Sequence, residues 1–184
     1  MNVNDAIVTR RSIRSYLDKP VPETDLETII GSARWASNAG PYHISVISNK
    51  ELMTRINEKV LEAMLASGDD FTTGRAKLPG YQPLHGAPVA ALYSAPAENP
   101  LGPLNCGLSA GYLILQATEL GYGSCFIKSL AHYLTKPAGA EMAREAGIPE
   151  GNVFLCGVVF GYTDDEMKFR RMDIVQRGEV TYVS

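Results

Sequence analysis

The densest group of potentially reactive side chains lies near the N-terminus, in the segment Arg10-Arg11-Ser12-Ile13-Arg14. It places three guanidinium groups and one hydroxyl within five residues, and guanidinium groups bind phosphate through paired hydrogen bonds. Arg170 and Arg171, far away along the chain, are candidates to bind the same anion. Both groups also have a simpler explanation, because cations favour helix ends and charged pairs often face solvent. The sequence therefore indicates either a local anion site or two ordinary cationic surfaces.

Two further segments combine polar groups with turn-forming residues. Ser37 to Tyr42 (SNAGPY) offer a hydroxyl, an amide and backbone groups that could hydrogen-bond the edge of a planar heterocycle. Gly121 to Ser129 follow a long apolar segment and present backbone N–H groups that could contact a ligand ring. Taken alone, each segment is more typical of an ordinary turn or helix end.

The other polar residues give little sign of metal or hydrolytic chemistry. The histidines are scattered and lack the spacing of metal ligands. Cys106, Cys125 and Cys156 lie in apolar or tightly turned contexts, which favour burial over reactivity. No serine, cysteine or lysine is accompanied by a recognisable base motif. We therefore expect no metal site and assign no side chain as general acid or base.

The composition is that of a globular protein. Of 184 residues, 45% are hydrophobic and 20% are charged, and the net charge is −3, so no general basic field attracts nucleic acid or anionic lipid. The three cysteines lack a C-x-x-C pairing, which favours a reducing compartment. No apolar run approaches the ~20 residues that span a bilayer. We expect a soluble, cytoplasmic protein with one domain over residues 1–184 and no nucleic-acid or membrane partner.

The secondary structure predicted around these segments mixes helices and strands. A short helix from Val3 to Thr9 leads into the arginines, and the capping-box pattern Thr24 to Glu27 opens a second helix. Asn49 is expected to cap a third helix that extends to about Ala66. Four runs have the composition of strands: Ile44 to Ser48, Val89 to Ser94, Cys125 to Ile127 and Val153 to Phe160. The pattern predicts an α+β fold.

Four other stretches bear on how the site is built and covered. Leu104 to Leu120 predicts a helix that is apolar around nearly its whole circumference, which is typical of a domain centre or an oligomer interface. Residues 67–86 lack a pattern, which favours a mobile lid or a segment ordered by a partner subunit. Pro137 to Ala146 predicts another helix. The apolar residues in the tail from Thr163 to Ser184 need a surface to cover.

Taken in order along the chain, four motifs resemble those of the nitroreductase family of FMN-dependent oxidoreductases. Arg10 to Tyr16 resembles the family's N-terminal R-R-S-x-R-x-[FY] signature, and Ser37 to Tyr42 resembles its S-x-N-x-Q-P-W loop. Asn105 to Cys125 is similar to the D-x-G…L-x-A-x-x-L-G-x-G-S-C run of the family's central helix. Val158 to Tyr162, followed by Arg170-Arg171, resembles its late strand and basic pair. The resemblance covers nearly the whole chain.

This resemblance implies a fold, a cofactor and a reaction. The fold is an α+β, nitroreductase-like mixed sheet flanked by helices around a long buried central helix, in a domain-intertwined homodimer. The cofactor is FMN, and hydride passes from NAD(P)H through flavin N5 to a small acceptor such as a nitroaromatic compound or a quinone, in a ping-pong cycle. The implied cofactor-binding residues are Arg10, Arg11, Ser12, Arg14, Ser37, Asn38, Gly40, Ile127, Lys128, Ser129, Arg170 and Arg171.

The resemblance also implies which residues bind each part of the cofactor. The arginine segment, joined by Arg170 or Arg171, binds the phosphate and ribityl oxygens. The loop from Ser37 to Gly40 contacts the pyrimidine edge of a flavin held by the other subunit. The backbone N–H of Lys128 donates a hydrogen bond to N5 and stabilises the reduced, anionic flavin.

The sequence departs from the family pattern at several positions. Gly40 stands where the family usually has glutamine, Tyr42 where it has tryptophan, and Asn105 where it has an acid. Lys128 and Ser129 stand where glycine is common. These departures leave three alternatives open: a flavin-binding carrier or sensor without turnover, an oxygen- or halide-dependent relative of the same fold, and an anion-binding domain without flavin.

Overall fold

The structure is a computed structural model that describes residues 2–166, 168–170 and 178–183. The helices are α1 (Val3–Thr9), α2 (Glu23–Ala33), α3 (Lys50–Leu65), α4 (Asp70–Ala76), α5 (Gly102–Glu119), α6 (Ala131–Leu134) and α7 (Ala140–Glu145), with a 3₁₀ turn at Pro137–Gly139. The strands are β1 (His43–Ile47), β2 (Val89–Pro96), β3 (Gly123–Ile127) and β4 (Asn152–Gly161). Within these described ranges, no helix has the length and apolarity that crossing a bilayer demands.

The four strands form one sheet in the order β1-β2-β4-β3, and each neighbouring pair is antiparallel. A parallel bridge between Ser12 and Ser124 adds the arginine segment beside β3. Strand β4 lies between β2 and β3, as its unbroken apolar sequence predicts for an interior strand. The predicted α+β class is confirmed.

Helices cover both faces of this sheet. On one face, Tyr93 of β2 packs with Leu113 of α5 and Ile29 of α2. On the other face, Leu92 packs with Ile56 of α3. Each of these side chains is fully buried, and burial of a large apolar side chain contributes about 1.5–3 kcal/mol to folding. The chain therefore folds into three layers, with the sheet between two layers of helices.

Helix α5 is buried on one face only. Cys106, Ala110 and Leu113 have no exposed surface and face the sheet, whereas Leu104 is 69% exposed and Leu108 45% exposed. The sequence predicted apolar residues around nearly the whole helix, and the structure shows that a single chain covers only half of them. The other half is an apolar strip that needs a second surface.

Two sequence-based predictions of helix limits were wrong. Helix α2 begins at Glu23 after Pro22, and no side chain caps it, so Thr24 lies inside the first turn and not at the N-cap. Pro22 at the N-cap has no N–H, so no intrahelical hydrogen bond is lost there. The predicted helix from Pro137 to Ala146 is divided into the 3₁₀ turn and α7, and residues 67–86, in which the sequence shows no pattern, contain helix α4. By contrast, Asn49 caps α3 as predicted, because its side chain accepts a hydrogen bond from the Leu52 N–H at 2.9 Å.

Candidate functional site

The arginine segment is fixed to the sheet through its central residue. The N–H of Ile13 donates to the carbonyl of Ser124 at 2.9 Å, and the Ile13 side chain is 3% exposed. A Cβ at Gly123 would lie 2.9 Å from the Cγ2 of Ile13, so only glycine allows this close approach. With Ile13 anchored inward, Arg10 and Arg14 extend from the surface on either side. This anchoring holds the predicted anion-binding groups in one place.

Arg11 points toward the C-terminal part of the chain. Its Nη1 donates to the carbonyl of Arg10 at 2.8 Å, and its Nη2 donates to the carbonyl of Arg170. Its Nε is buried and has no hydrogen-bond partner among the described residues. The structure therefore joins the N-terminal arginine segment to the backbone of Arg170. Arg171, the other predicted member of that pair, lies outside the described residues.

Arg14 faces a different space, a cleft of about 720 Å³. Arg75 of α4, Tyr81 and His85 line the same cleft, together with the acid Asp70. The guanidinium of Arg75 lies over the Tyr81 ring at 5.4 Å, and the Tyr81 and His85 rings meet edge to face at 6.0 Å. Two arginines and two aromatic rings thus form one continuous wall.

The charges in this cleft act on the groups beside it. Burial, with smaller contributions from the positive charges of Arg14 and Arg75, lowers the pKa of His85 from 6.5 to about 4. Burial also raises the pKa of the nearby Cys125 thiol, while the charge of Arg14 opposes that shift. Arg14 and Arg75 outnumber Asp70 in the lining, so the electrostatic field in the cleft is positive. Such a field favours an anion in the cleft.

The predicted residues at the end of β3 line an adjoining cavity of about 480 Å³. Ile127 is buried at its floor, Lys128 is exposed and Ser129 is half-buried. This cavity shares Arg75 and Tyr81 with the cleft that contains Arg14. The two spaces therefore adjoin each other, with Arg14 in the lining of one and the β3 end in the lining of the other.

The loop from Ser37 to Gly40 is positioned by Asn105 at the start of α5. The Ala39 N–H donates to the Asn105 Oδ1 at 3.1 Å, and the Asn105 Nδ2 donates to the Ala39 carbonyl at 2.9 Å. Gly40 has a φ of 93°, which glycine adopts without strain. An acid at position 105 could not donate the second bond, so the departure to asparagine has a local structural role. Ser37 and Asn38 are exposed.

The loop and the arginine segment lie toward opposite ends of α5. The loop contacts Asn105 in the first turn of this helix, whereas the arginine segment pairs with Ser124, just after its C-terminus. A helix of 18 residues is about 27 Å long. Within one chain, the structure therefore brings Arg14 and the β3 end together and leaves Ser37, Asn38 and Gly40 at a distance.

Sequence reasoning missed the contribution of residues 67–86 to this site. Arg75, Tyr81 and His85 all come from the stretch in which no pattern was visible. Its helix α4 begins at Asp69, whose side chain accepts from the Thr72 N–H at 2.7 Å. The available sequence signal was Asp69, since aspartate is a favoured N-cap. In the structure, Asp69 caps the seven residues of α4. Among the described residues, no cluster of three or more His, Cys, Asp or Glu side chains is placed to hold a metal ion.

Known proteins resemble this chain in sequence and in fold. The family model described as the nitroreductase family matches residues 7–162. A protein of Archaeoglobus fulgidus, named as an NADH dehydrogenase/NAD(P)H nitroreductase, is 29% identical over 91% of this chain and 88% of its own length. A nitroreductase from Bacteroides fragilis with bound FMN superposes with a TM-score of 0.89 at 24% identity, over 100% of both chains. An FMN-dependent nitroreductase from Clostridium difficile has a TM-score of 0.65 at 27% identity, over 89% of this chain and 88% of that one.

Proposed function

The chain belongs to the nitroreductase family, and from that membership and the shape of the cleft we propose that it is an FMN-dependent oxidoreductase. It transfers hydride from NAD(P)H to a small acceptor, such as a nitroaromatic compound or a quinone, in ping-pong order. FMN, when bound, supplies the chemistry by exchanging hydride at N5. The observation that carries the proposal is the pair of adjoining spaces, one lined by Arg14 and the other by Lys128 and Ser129.

The groups in and beside these two spaces suit the parts of FMN. A phosphate monoester is a dianion. Arg14 lines the cleft, and Arg10 and Ser12 belong to the same anchored segment, so the three residues would offer the phosphate charge and hydrogen bonds. Arg75 and Tyr81 line both spaces, and a flat ring system would find apolar and aromatic side chains at the β3 end. The relatives that carry FMN in their names support the same assignment. The backbone of Lys128 would then face the bound ring.

The protein's own residues then have three tasks. The arginine segment holds the phosphate end, Arg170 orients Arg11 through its carbonyl, and the β3 end presents a backbone N–H toward the ring. His85, held neutral at physiological pH, adds no further positive charge to the cleft. No side chain is given the role of general acid or base.

We propose that the working form is a homodimer in which each site uses both chains. The exposed strip of α5, with Leu104, Leu108 and Tyr112, supplies the interface. When two copies of α5 pack antiparallel about a two-fold axis, the start of one helix lies beside the end of the other. The Ser37 to Gly40 loop of one chain then reaches the arginine segment of its partner, which one chain alone cannot arrange. Trp35, 84% exposed next to this loop, is covered by the same contact.

We also place the protein in the cytoplasm. The support is that Cys106, Cys125 and Cys156 are all free thiols, a state that a reducing compartment maintains.

Visible absorbance of the purified protein tests the proposal. We expect FMN to bind with one equivalent per chain, and we expect NADH or NADPH to bleach the bound flavin under anaerobic conditions. Addition of a quinone or a nitroaromatic compound should restore the colour. Bound FMN that resists both nicotinamides would support a carrier or sensor, and absence of FMN binding would overturn the proposal.

A further inference from the structure

The cavity at the β3 end has a second wall that the flavin assignment does not use. This wall comes from α6 and the residues after it, with His132, Thr135 and Lys136. The opposite side carries Phe71 of α4 and Phe126 of β3, which are 77% and 46% exposed. Two exposed aromatic rings at the mouth of a cavity are costly in water unless another flat apolar molecule covers them.

The charge of this cavity has one sign. Its lining contains Arg75, Lys128 and Lys136, together with the imidazole of His132, and no acidic side chain among the described residues. None of these four takes part in the ion pairs found in the described part of the chain. The pKa of Asp69 is lowered chiefly by hydrogen bonding to Thr72 and less by His132. Asp69 caps α4 from outside the lining, so the lining itself holds no carboxylate for Lys136.

The α6 side of the cavity is distant in sequence from the arginine segment. Arg14 and His85 line the neighbouring cleft, whereas His132 and Lys136 line only this cavity. Binding of the flavin phosphate by Arg10 to Arg14 therefore leaves the charge of Lys136 available to a second molecule. A site that combines aromatic surface with an available cation recognises a flat molecule that carries a negative group.

We propose that this cavity selects an anionic partner for the flavin, through the charge of Lys136. The partner is an aromatic acceptor that carries a carboxylate, or NADPH through its additional phosphate. Both present a negatively charged oxyanion to Lys136. The inference rests on the proposed function, since it names the substrate class of that site. Lys136 is a specificity-determining residue that binds the charged group away from the reacting atoms.

Paired ligands that differ only in charge test the inference. The first experiment compares the binding of 4-nitrobenzoate and 4-nitrobenzamide by calorimetry, a measurement that needs no turnover. The second experiment compares the kcat/KM values for NADPH and NADH. In the wild type we expect at least one anionic member to be preferred. Lys136→Gln should reduce that preference by about two- to fivefold, the usual worth of one exposed charge pair. High salt should reduce it likewise.

The control is Lys77→Gln, which removes one exposed lysine at the end of α4 that does not line the cavity. It should leave the preference unchanged. FMN affinity and turnover of 4-nitrobenzamide should be the same in Lys136→Gln as in the wild type, which separates a specificity effect from a damaged flavin site. Equal binding of the charged and neutral members in both pairs would overturn the inference. A charge preference without any turnover would instead overturn the proposed function alone.

Discussion

Replacing His85 with asparagine should make the fold less sensitive to acid. Burial, Arg14 and Arg75 together lower the pKa of His85 from 6.5 to about 4. Unfolding removes the ring from this environment, so between these two pKa values the unfolded chain binds a proton that the folded chain does not. Stability is therefore lost as the pH falls from about 6.5 toward 4. Asparagine suits the position because His85 has a φ of 55°, in the left-handed region that asparagine tolerates.

The size of the effect follows from the two pKa values. With 6.5 unfolded and about 4 folded, the free energy of unfolding falls by about 1.8 kcal/mol between about pH 7 and pH 5. Because solvent reaches part of the half-buried imidazole, screening reduces the expected loss in the free energy of unfolding to about 1 kcal/mol. Carboxylates elsewhere titrate in both the wild type and His85→Asn, so their contributions to the free energy of unfolding cancel when the two proteins are compared.

Urea unfolding at both pH values measures the difference. The wild type should lose about 1 kcal/mol more than His85→Asn on acidification. His43→Asn, at an exposed strand position, is the matched control and should behave like the wild type. An equal loss of stability in the wild type and in His85→Asn would refute the electrostatic reasoning about the cleft.

Three further changes test other parts of the molecule. Arg10→Ala should weaken FMN binding by about 1.5–3 kcal/mol, the worth of a hydrogen bond to a charged group, as measured by fluorescence titration; unchanged affinity would remove Arg10 from the phosphate site. Leu108→Asp places a charge in the exposed strip of α5 and should give monomers by light scattering. Gly139→Ala should lower the free energy of unfolding by about 2–3 kcal/mol in urea, because its Cβ would lie 2.1 Å from the carbonyl oxygen of Tyr133.

The changes at Leu108 and Gly139 each have a counterpart elsewhere in the chain. Leu65 is 44% exposed, almost the same as Leu108, but it lies on α3, so Leu65→Asp should leave the oligomeric state unchanged. Gly31 has open space around its Cβ position in α2, and Gly31→Ala should raise stability by about 0.5–1 kcal/mol. Dimers that persist in Leu108→Asp would contradict the assignment of the interface.

The sequence was most informative where local physics alone decides the structure. Strand β4 and helix α5 were predicted because each is long and strongly patterned. Helix α4 was missed because its seven residues carry no apolar period, and Phe71 within it is 77% exposed. Its position depends on tertiary contacts and on the Asp69 cap. Consequently Arg75, which α4 carries into the cleft, could not be assigned to the site beforehand.

The half-exposed helix α5 shows a second limit of sequence reasoning. Apolar residues around the whole circumference predicted burial, but they could not say which part is buried by the chain itself. Cys106 and Leu113 belong to one buried cluster with Tyr93 of β2 and Val158 of β4. Leu104 and Leu108 occupy the remaining face, and only the three-dimensional structure distinguishes the two sets.

Asn105 lies in the first turn of α5, and Ser124 lies just after the C-terminus of that helix. This separation has a consequence for how the protein loses its cofactor. In the proposed dimer, each flavin touches groups from both ends of that helix, one end from each chain, so FMN and the second chain act as ligands of one another. By linkage, each raises the affinity of the protein for the other by the same factor. Dilution that separates the chains should therefore release FMN, and added FMN should hold the dimer together at lower protein concentration.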